Sequence, residues 1–153
     1  MRINISFKIL KSNYLPFNYN IFLTALIYKF INSSDRNYAE MLHNRGFQNA
    51  GRAFKLFTFS DLQCSIEKIR ADKIILKDDN ILWCISSPVD DFIRHLVQGL
   101  FIQGQNIILN NQLLNIEKVE VLATPEFSDS MRFKTLSPLV ISTKKVIDGK
   151  LSQ

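Results

Sequence analysis

Residues 15–62, LPFNYNIFLTALIYKFINSSDRNYAEMLHNRGFQNAGRAFKLFTFSDL, decide the fold of this chain, because they predict two short helices, a basic loop and an aromatic strand. On a helical wheel, Tyr28 falls on the side of the first helix that does not need a phenol for the core. The opposite, broad apolar arc predicts the buried face of this helix and consists of Phe22, Leu23, Leu26, Ile27, Phe30 and Ile31.

The second helix carries a histidine in a comparable position. Ser34 or Asp35 can cap the orphan amides of its first turn, and Gly46 is a suitable residue to end it. His43 lies at the edge of the apolar arc, so its imidazole can pack on one side and meet a ligand on the other. Two polar groups are therefore predicted to stand off the core within one helical hairpin.

The same stretch resembles a known family of RNA-processing enzymes. Five blocks in matching order and spacing carry the resemblance: LPFNYN at 15–20, IY at 27–28, LH at 42–43, GF at 46–47 and FKLFTFS at 54–60. They look like the CRISPR-associated endoribonucleases of the RAMP superfamily, which cut repeat RNA into guide RNAs. The resemblance runs to roughly Ser142. It implies a ferredoxin-like RNA-binding fold and RNA cleavage that needs no metal or other cofactor.

The resemblance also implies site residues. Tyr28 and His43 align with the catalytic tyrosine and histidine of the family. An imidazole can take or give a proton near neutral pH, and a phenol can donate a hydrogen bond or relay a proton. The family often has a lysine in the loop just after the histidine, but here no lysine lies between His43 and Lys55. Arg45, Arg52 or Lys55 would have to supply the positive charge and bind the RNA, and each could equally be an ordinary surface residue.

Composition narrows the classes of function. The 153-residue chain has a formal net charge of +5, which favours a polyanionic partner without identifying one. Two cysteines, two histidines and the absence of an acidic cluster argue against a metal nuclease, so no metal site is predicted. His95 is predicted to be exposed to solvent. The N-terminus is unlike a signal peptide, and no apolar run approaches the roughly 20 residues that cross a bilayer. The predicted location is therefore the cytoplasm, with no membrane partner.

The order of predicted elements gives an α+β fold. A strand with alternating apolar residues opens the chain, and a hairpin of strands 73–76 and 80–86 follows the aromatic strand 54–60. A helix from Pro88 to Gly104 and a strand pair, 107–109 and 113–122, complete the series. This β-α-β-β-α-β order predicts a ferredoxin-like domain at 1–123 with an antiparallel sheet covered by helices on one face. Residues 124–153 are predicted to hold the first strand, 131–143, of an incomplete second domain, and a tail.

Three functions stay open at this point. The first is a CRISPR repeat-RNA endoribonuclease that works by attack of the ribose 2′-hydroxyl. The second is a non-catalytic relative that binds repeat RNA or docks on a guide-RNA complex. The third is a chain that folds only with a separate partner completing the second domain. Retention of Tyr28 and His43 favours the first, and the missing C-terminal glycine-rich loop of the family favours the others. The apolar segment 131–143 also predicts edge pairing, and hence a homodimer.

Overall fold

The computed structural model describes residues 1–138 and, as strand backbone, residues 145–147 and 150–152. A π-helical turn, Met41–Arg45, directly follows the second helix. The helices and strands are, in chain order, β1 (Arg2–Lys11), β2 (Tyr14–Pro16), α1 (Tyr19–Ser34), α2 (Arg36–Glu40), β3 (Phe47–Asn49), β4 (Arg52–Phe54), β5 (Thr58–Phe59), β6 (Ile66–Arg70), β7 (Lys73–Leu76), β8 (Asn80–Ser86), α3 (Asp90–Gln103), β9 (Asn106–Leu109), β10 (Gln112–Leu122), β11 (Lys145–Ile147) and β12 (Lys150–Ser152).

The main sheet has five strands in the order β5-β8-β1-β10-β9, all paired antiparallel. Alternate residues of β1, namely Ile3, Ile5, Phe7 and Ile9, are buried, as the two-residue period predicts. They join one core cluster with the buried residues of α1 and α3, so these helices cover one face of the sheet. Without the added edge strand β9, the order is that of a ferredoxin-like domain, and the predicted fold class is confirmed.

Gly99 sets how closely α1 and α3 approach each other. It is buried in α3, and a Cβ atom at this position would overlap the carbonyl oxygen of Phe30 in α1. Backbone of one helix thus lies directly against backbone of the other. This contact fixes α1, and with it the residues that α1 turns away from the core.

The predicted strand 54–60 is wrong as a single strand. Phe54 ends β4, and only Thr58 and Phe59 pair with β8 in the main sheet. Between them Leu56 has a φ of 52°, a left-handed conformation that a continuous strand cannot contain. The Ser87 hydroxyl donates a hydrogen bond to the Leu56 carbonyl oxygen at 2.7 Å and holds this break in place.

The predicted hairpin of 73–76 with 80–86 is also wrong, although both strands exist. β7 pairs with β2 and β6 in a separate three-stranded sheet, whereas β8 pairs with β1 and β5. The Ile9 amide donates to the Asp79 carbonyl oxygen at 2.8 Å, so the connection between the two strands is held at the end of β1. The predicted helix start is displaced too: α3 begins at Asp90 with Val89 as its N-cap, and Pro88 lies before the cap.

Other local predictions are confirmed. The Asp35 carboxylate caps α2 by accepting from the Tyr38 amide at 2.9 Å. β9 and β10 form the predicted hairpin, and Asn110 in its turn has a φ of 55°. The predicted strand 131–143 is wrong for residues 131–138, which contain no strand, and its remaining residues lie outside the described part of the chain. The domain division at residue 123 therefore stays a prediction. None of the described helices has the length and apolarity needed to cross a membrane.

Candidate active site

The π-helical turn and α1 bring Tyr28 and His43 together. Their ring centroids are 5.2 Å apart, with the ring planes at 77° in an edge-to-face arrangement. A second edge-to-face contact joins Tyr28 to Phe57 at 6.2 Å, and Phe57 stacks on Phe92 of α3 at 4.8 Å. Tyr28 is therefore packed on one side by core aromatics, while His43 on the other side is exposed. Phe57 is half-buried between these rings and precedes β5 without being part of the strand.

The π-helical turn decides where His43 points. The Gly46 amide donates to the Met41 carbonyl oxygen, five residues back, at 2.8 Å. Such wide turns often occur at functional sites. Since a π-helical turn rotates less per residue than an α-helix, His43 leaves the direction that a regular helical wheel gives it. The turn is not visible in the sequence pattern.

Gly46 is required at the end of this turn. Its φ is 65°, and a Cβ atom here would lie 2.6 Å from the Phe54 carbonyl oxygen. The hairpin of β3 and β4 therefore packs directly against the end of the turn that carries His43. The sequence predicted Gly46 as a helix stop, and the structure adds the close backbone approach.

The contacts of the two rings indicate what each can donate or accept. The Nδ1 atom of His43 lies 3.0 Å from the side-chain oxygen of Asn44. An amide oxygen accepts a hydrogen bond, so the tautomer with its proton on Nδ1 donates to it and leaves Nε2 as an acceptor. Burial raises the pKa of the Tyr28 phenol above its ordinary value. Tyr28 is thus a hydrogen-bond donor at neutral pH.

The structure separates the three basic residues predicted for the site. The Nζ atom of Lys55, a half-buried residue, donates to the carbonyl oxygens of Leu42 and His43, each at 2.5 Å. Arg45 and Arg52 are exposed, one at the end of the π-helical turn and the other on β4. Gln48 of the same hairpin donates to the Arg45 carbonyl oxygen at 2.7 Å. Lys55 is built into the turn, whereas the two arginines stand on the surface beside it.

An open groove runs between α1 and α2 with its π-helical turn. Sequence reasoning missed Lys29, which lines this groove, although the signal is present: residues 25, 28, 29 and 32 share one helical face by their spacing. The opposite wall has the same pattern, with residues 39, 40, 43 and 44. The lining residues are Ala25, Tyr28, Lys29, Asn32, Ala39, Glu40, His43 and Asn44.

The prediction that His95 is exposed is wrong. His95 is half-buried, its Nδ1 atom lies 3.0 Å from the Ser34 hydroxyl, and its ring lies 4.8 Å from that of Tyr38. Ser34 donates its single hydroxyl proton to Gln98 at 2.9 Å, so it accepts from His95. This histidine connects α3 to Ser34 at the end of α1 and to Tyr38 of α2, and it lies outside the groove. Within the described part of the chain, no group of three or more His, Cys, Asp or Glu side chains could hold a metal ion.

Comparison with known proteins agrees with this fold. The sequence profile of the family described as CRISPR-associated protein Cas6, N-terminal, matches residues 14–120. The chain is 32% identical over 143 residues to the CRISPR-associated endoribonuclease Cas6 1 of Methanocaldococcus jannaschii, covering 94% of this chain and 53% of that protein.

Solved structures give the same answer. A Cas6-related protein from Pyrococcus furiosus superposes with a TM-score of 0.80 at 26% identity, covering 99% of this chain and 60% of the other. A RAMP protein that binds different RNA substrates superposes with a TM-score of 0.74 at 28% identity and the same coverage. The chain thus spans between half and two thirds of the length of these relatives. It belongs to the Cas6 family of CRISPR-associated proteins and corresponds to the N-terminal region of that family.

Proposed function

We propose that this chain carries the catalytic centre of a CRISPR repeat-RNA endoribonuclease that cleaves without a metal ion, with Tyr28 and His43 as the reacting pair. The edge-to-face pair of these rings, 5.2 Å apart at the wall of an open groove, is the observation that carries the proposal. The resemblance to relatives named as CRISPR endoribonucleases supports it.

The proposed reaction follows from the protonation of the two rings. The Nε2 lone pair of His43 accepts the proton of the ribose 2′-hydroxyl, whose oxygen attacks the adjacent phosphorus. The bond from phosphorus to the 5′ oxygen breaks, and the Tyr28 phenol gives that oxygen a proton. The products are a 2′,3′-cyclic phosphate and a 5′-hydroxyl end. Because the pKa of Tyr28 is raised, the phenol holds its proton at neutral pH until the leaving oxygen takes it.

The RNA strand is proposed to reach the groove across the β3–β4 hairpin. Arg45 and Arg52 are exposed beside the turn that carries His43, where guanidinium groups can contact phosphates. The proposed partners are the repeat RNA and a second protein chain, which can be another copy of this one. The proposed location is the cytoplasm, where guide RNAs are matured.

A non-catalytic RNA-binding role is the second candidate. The observation that favours it is the exposure of Arg45 and Arg52 beside the turn, where they can hold RNA without any part in cleavage. In that case the β3–β4 hairpin would bind repeat RNA, and no cleavage would take place in the groove. The two candidates predict different fates for the bound RNA.

The test is cleavage of a labelled repeat RNA by the full chain, alone and with the C-terminal half of a longer relative added. His43→Ala should slow cleavage by roughly two to four powers of ten while RNA binding changes little. Tyr28→Phe should cost less, because a water molecule can replace a proton donor more easily than a positioned base. EDTA should have no effect.

His95→Gln is the matched control, since it removes the other histidine from a place outside the groove. It should cleave like the parent. If the parent binds repeat RNA but does not cleave it, either alone or with the C-terminal half of a longer relative added, the non-catalytic role replaces the enzymatic one. If His43→Ala cleaves as fast as the parent, His43 is not the base.

A further inference from the structure

We propose that Lys29 is the cation that binds the scissile phosphodiester in the groove; this rests on the function proposed for the same site. Lys29 lies on α1 directly after Tyr28 and lines the groove with Tyr28 and His43. None of the three cations predicted for the site, Arg45, Arg52 and Lys55, lines it.

The geometry rules against the other cations one by one. Two of the three ammonium donors of Lys55 are occupied by the carbonyl oxygens of Leu42 and His43, which hold it below the turn. Arg45 ends the π-helical turn and lines a neighbouring depression, and Arg52 is exposed on β4, so neither of them lines the groove. Of these four cations, Lys29 is therefore the one that lines the groove together with Tyr28 and His43.

The charges inside the groove favour an anion. Glu40 also lines it, but Arg36 donates to that carboxylate at 2.8 Å and offsets its charge. Lys29 is exposed and makes no ion pair within 4.0 Å among the residues that the structure describes. Asn32, one helical turn after Tyr28, adds an amide donor on the same wall. The groove thus offers a free ammonium group and a neutral donor beside the reacting pair.

Small residues leave room for the ligand. Ala25 lies on the wall formed by α1, and Ala39 lies on the wall formed by α2. A long side chain at either position would occupy the groove next to the two rings. The flexible stem of Lys29 can bring its compact charge to a phosphate oxygen without a fixed geometry. There it would stabilise the negative charge that grows on phosphorus during attack by the 2′ oxygen.

The first measurement is single-turnover cleavage of repeat RNA at saturating protein. Lys29→Ala should lower the rate by about a hundredfold to a thousandfold, the usual effect of removing one group that stabilises transition-state charge. Lys29→Arg should restore most of the rate, because it returns the positive charge. Lys77→Ala, which removes an exposed lysine outside the groove, should leave the rate unchanged.

The second measurement does not depend on cleavage. Adenosine 3′-monophosphate is titrated into the protein while the His43 ring signals are followed by NMR. The nucleotide should shift these signals in the parent and in Lys77→Ala, and Lys29→Ala should bind it roughly tenfold more weakly or worse, as expected for loss of a charged hydrogen bond.

The outcomes separate this proposal from the function on which it rests. If the parent cleaves and Lys29→Ala cleaves and binds the nucleotide equally well, Lys29 has no role and the endonuclease proposal stands. If the parent never cleaves but Lys29→Ala loses the nucleotide, the endonuclease proposal fails and Lys29 stands as the anion-binding residue of the groove. Equal nucleotide binding by all variants, in a parent that never cleaves, overturns both.

Discussion

Lys55 connects the β3–β4 hairpin to the turn that carries His43. Its ammonium group donates to the carbonyl oxygens of Leu42 and His43, which lie where a helix leaves acceptors unpaired. A positive charge at the C-terminal end of a helical segment also complements the helix dipole. The contacts fit a residue that positions His43 through its backbone, in addition to the RNA contact expected from the sequence.

Replacing Lys55 by Met therefore tests positioning against RNA binding. If Lys55 positions His43, Lys55→Met should lower the cleavage rate at saturating RNA and leave RNA affinity almost unchanged, and Lys55→Arg should recover part of the rate. The free energy of unfolding should fall by about 1–3 kcal/mol, because two carbonyl oxygens lose a charged donor. Single-turnover kinetics, RNA titration and urea unfolding measure these three quantities. A loss of affinity with an unchanged rate would make Lys55 an RNA contact instead.

At the residue scale, the sequence selects Tyr28 and His43 as candidates but does not give the geometry in which their rings meet. Tyr28 could be selected because it lies on the side of the helix opposite the apolar arc. His43 could be selected because the resemblance aligns it with the catalytic histidine of the family. The meeting of their rings depends on the π-helical turn, which no local pattern announces. The search for a cation in the loop after His43 could not find Lys29, because this residue lines the groove from α1, next to Tyr28.

At the scale of elements, the contact between α1 and α3 holds the site in place. Phe30 lies two residues after Tyr28, and its carbonyl oxygen touches Gly99 of α3. Any side chain at position 99 must push the helices apart, and Tyr28 would move with α1. The packing of Phe57 between Tyr28 and Phe92 would change as well.

Gly99→Ala should therefore destabilise the protein despite the better helix propensity of alanine. We expect a loss of more than about 3 kcal/mol in the free energy of unfolding, since the added methyl meets backbone and not a movable side chain. Urea unfolding measures it. Gly104→Ala is the control, because its Cβ meets nothing within 4 Å, although its φ of 80° will cost something by itself. A loss at Gly99 no larger than the loss at Gly104 would show that the two helices can separate at little cost and that this contact does not hold the site.

Elements with a regular period were predictable, and elements defined by distant partners were not. β1, α1, α3 and the β9–β10 hairpin follow from alternating or helical patterns and from turn residues. The strand 54–60 failed because Leu56 takes a left-handed conformation, which nothing about leucine indicates. The hairpin of β7 and β8 failed because each strand finds its partner elsewhere, β7 on β2 and β8 on β1.

For the whole molecule, charge and its placement are the features that bear on RNA. The net charge of +5 gives a general attraction for polyanions. Several basic residues are offset by neighbours, such as Lys118, whose Nζ lies 3.1 Å from a carboxylate oxygen of Glu120. Arg45 and Arg52 are exposed beside the candidate site and stand in none of the ion pairs among the described residues. Their position predicts that they contribute more to RNA binding than their share of the net charge.

The dependence of RNA affinity on salt tests this placement. For single strands, the logarithm of the binding constant falls with the logarithm of salt concentration by about 0.7 for each phosphate neutralised. Replacing Arg45 and Arg52 together by Ala should reduce the slope by about 1.4, because two phosphate contacts are lost. The control replaces Lys77 and Lys118 by Ala, which removes the same charge from elsewhere and should change the slope less. Fluorescence anisotropy with labelled repeat RNA over a range of KCl concentrations measures both. If the two double variants lose the same slope, net charge alone explains the binding and the β3–β4 hairpin has no special part in it.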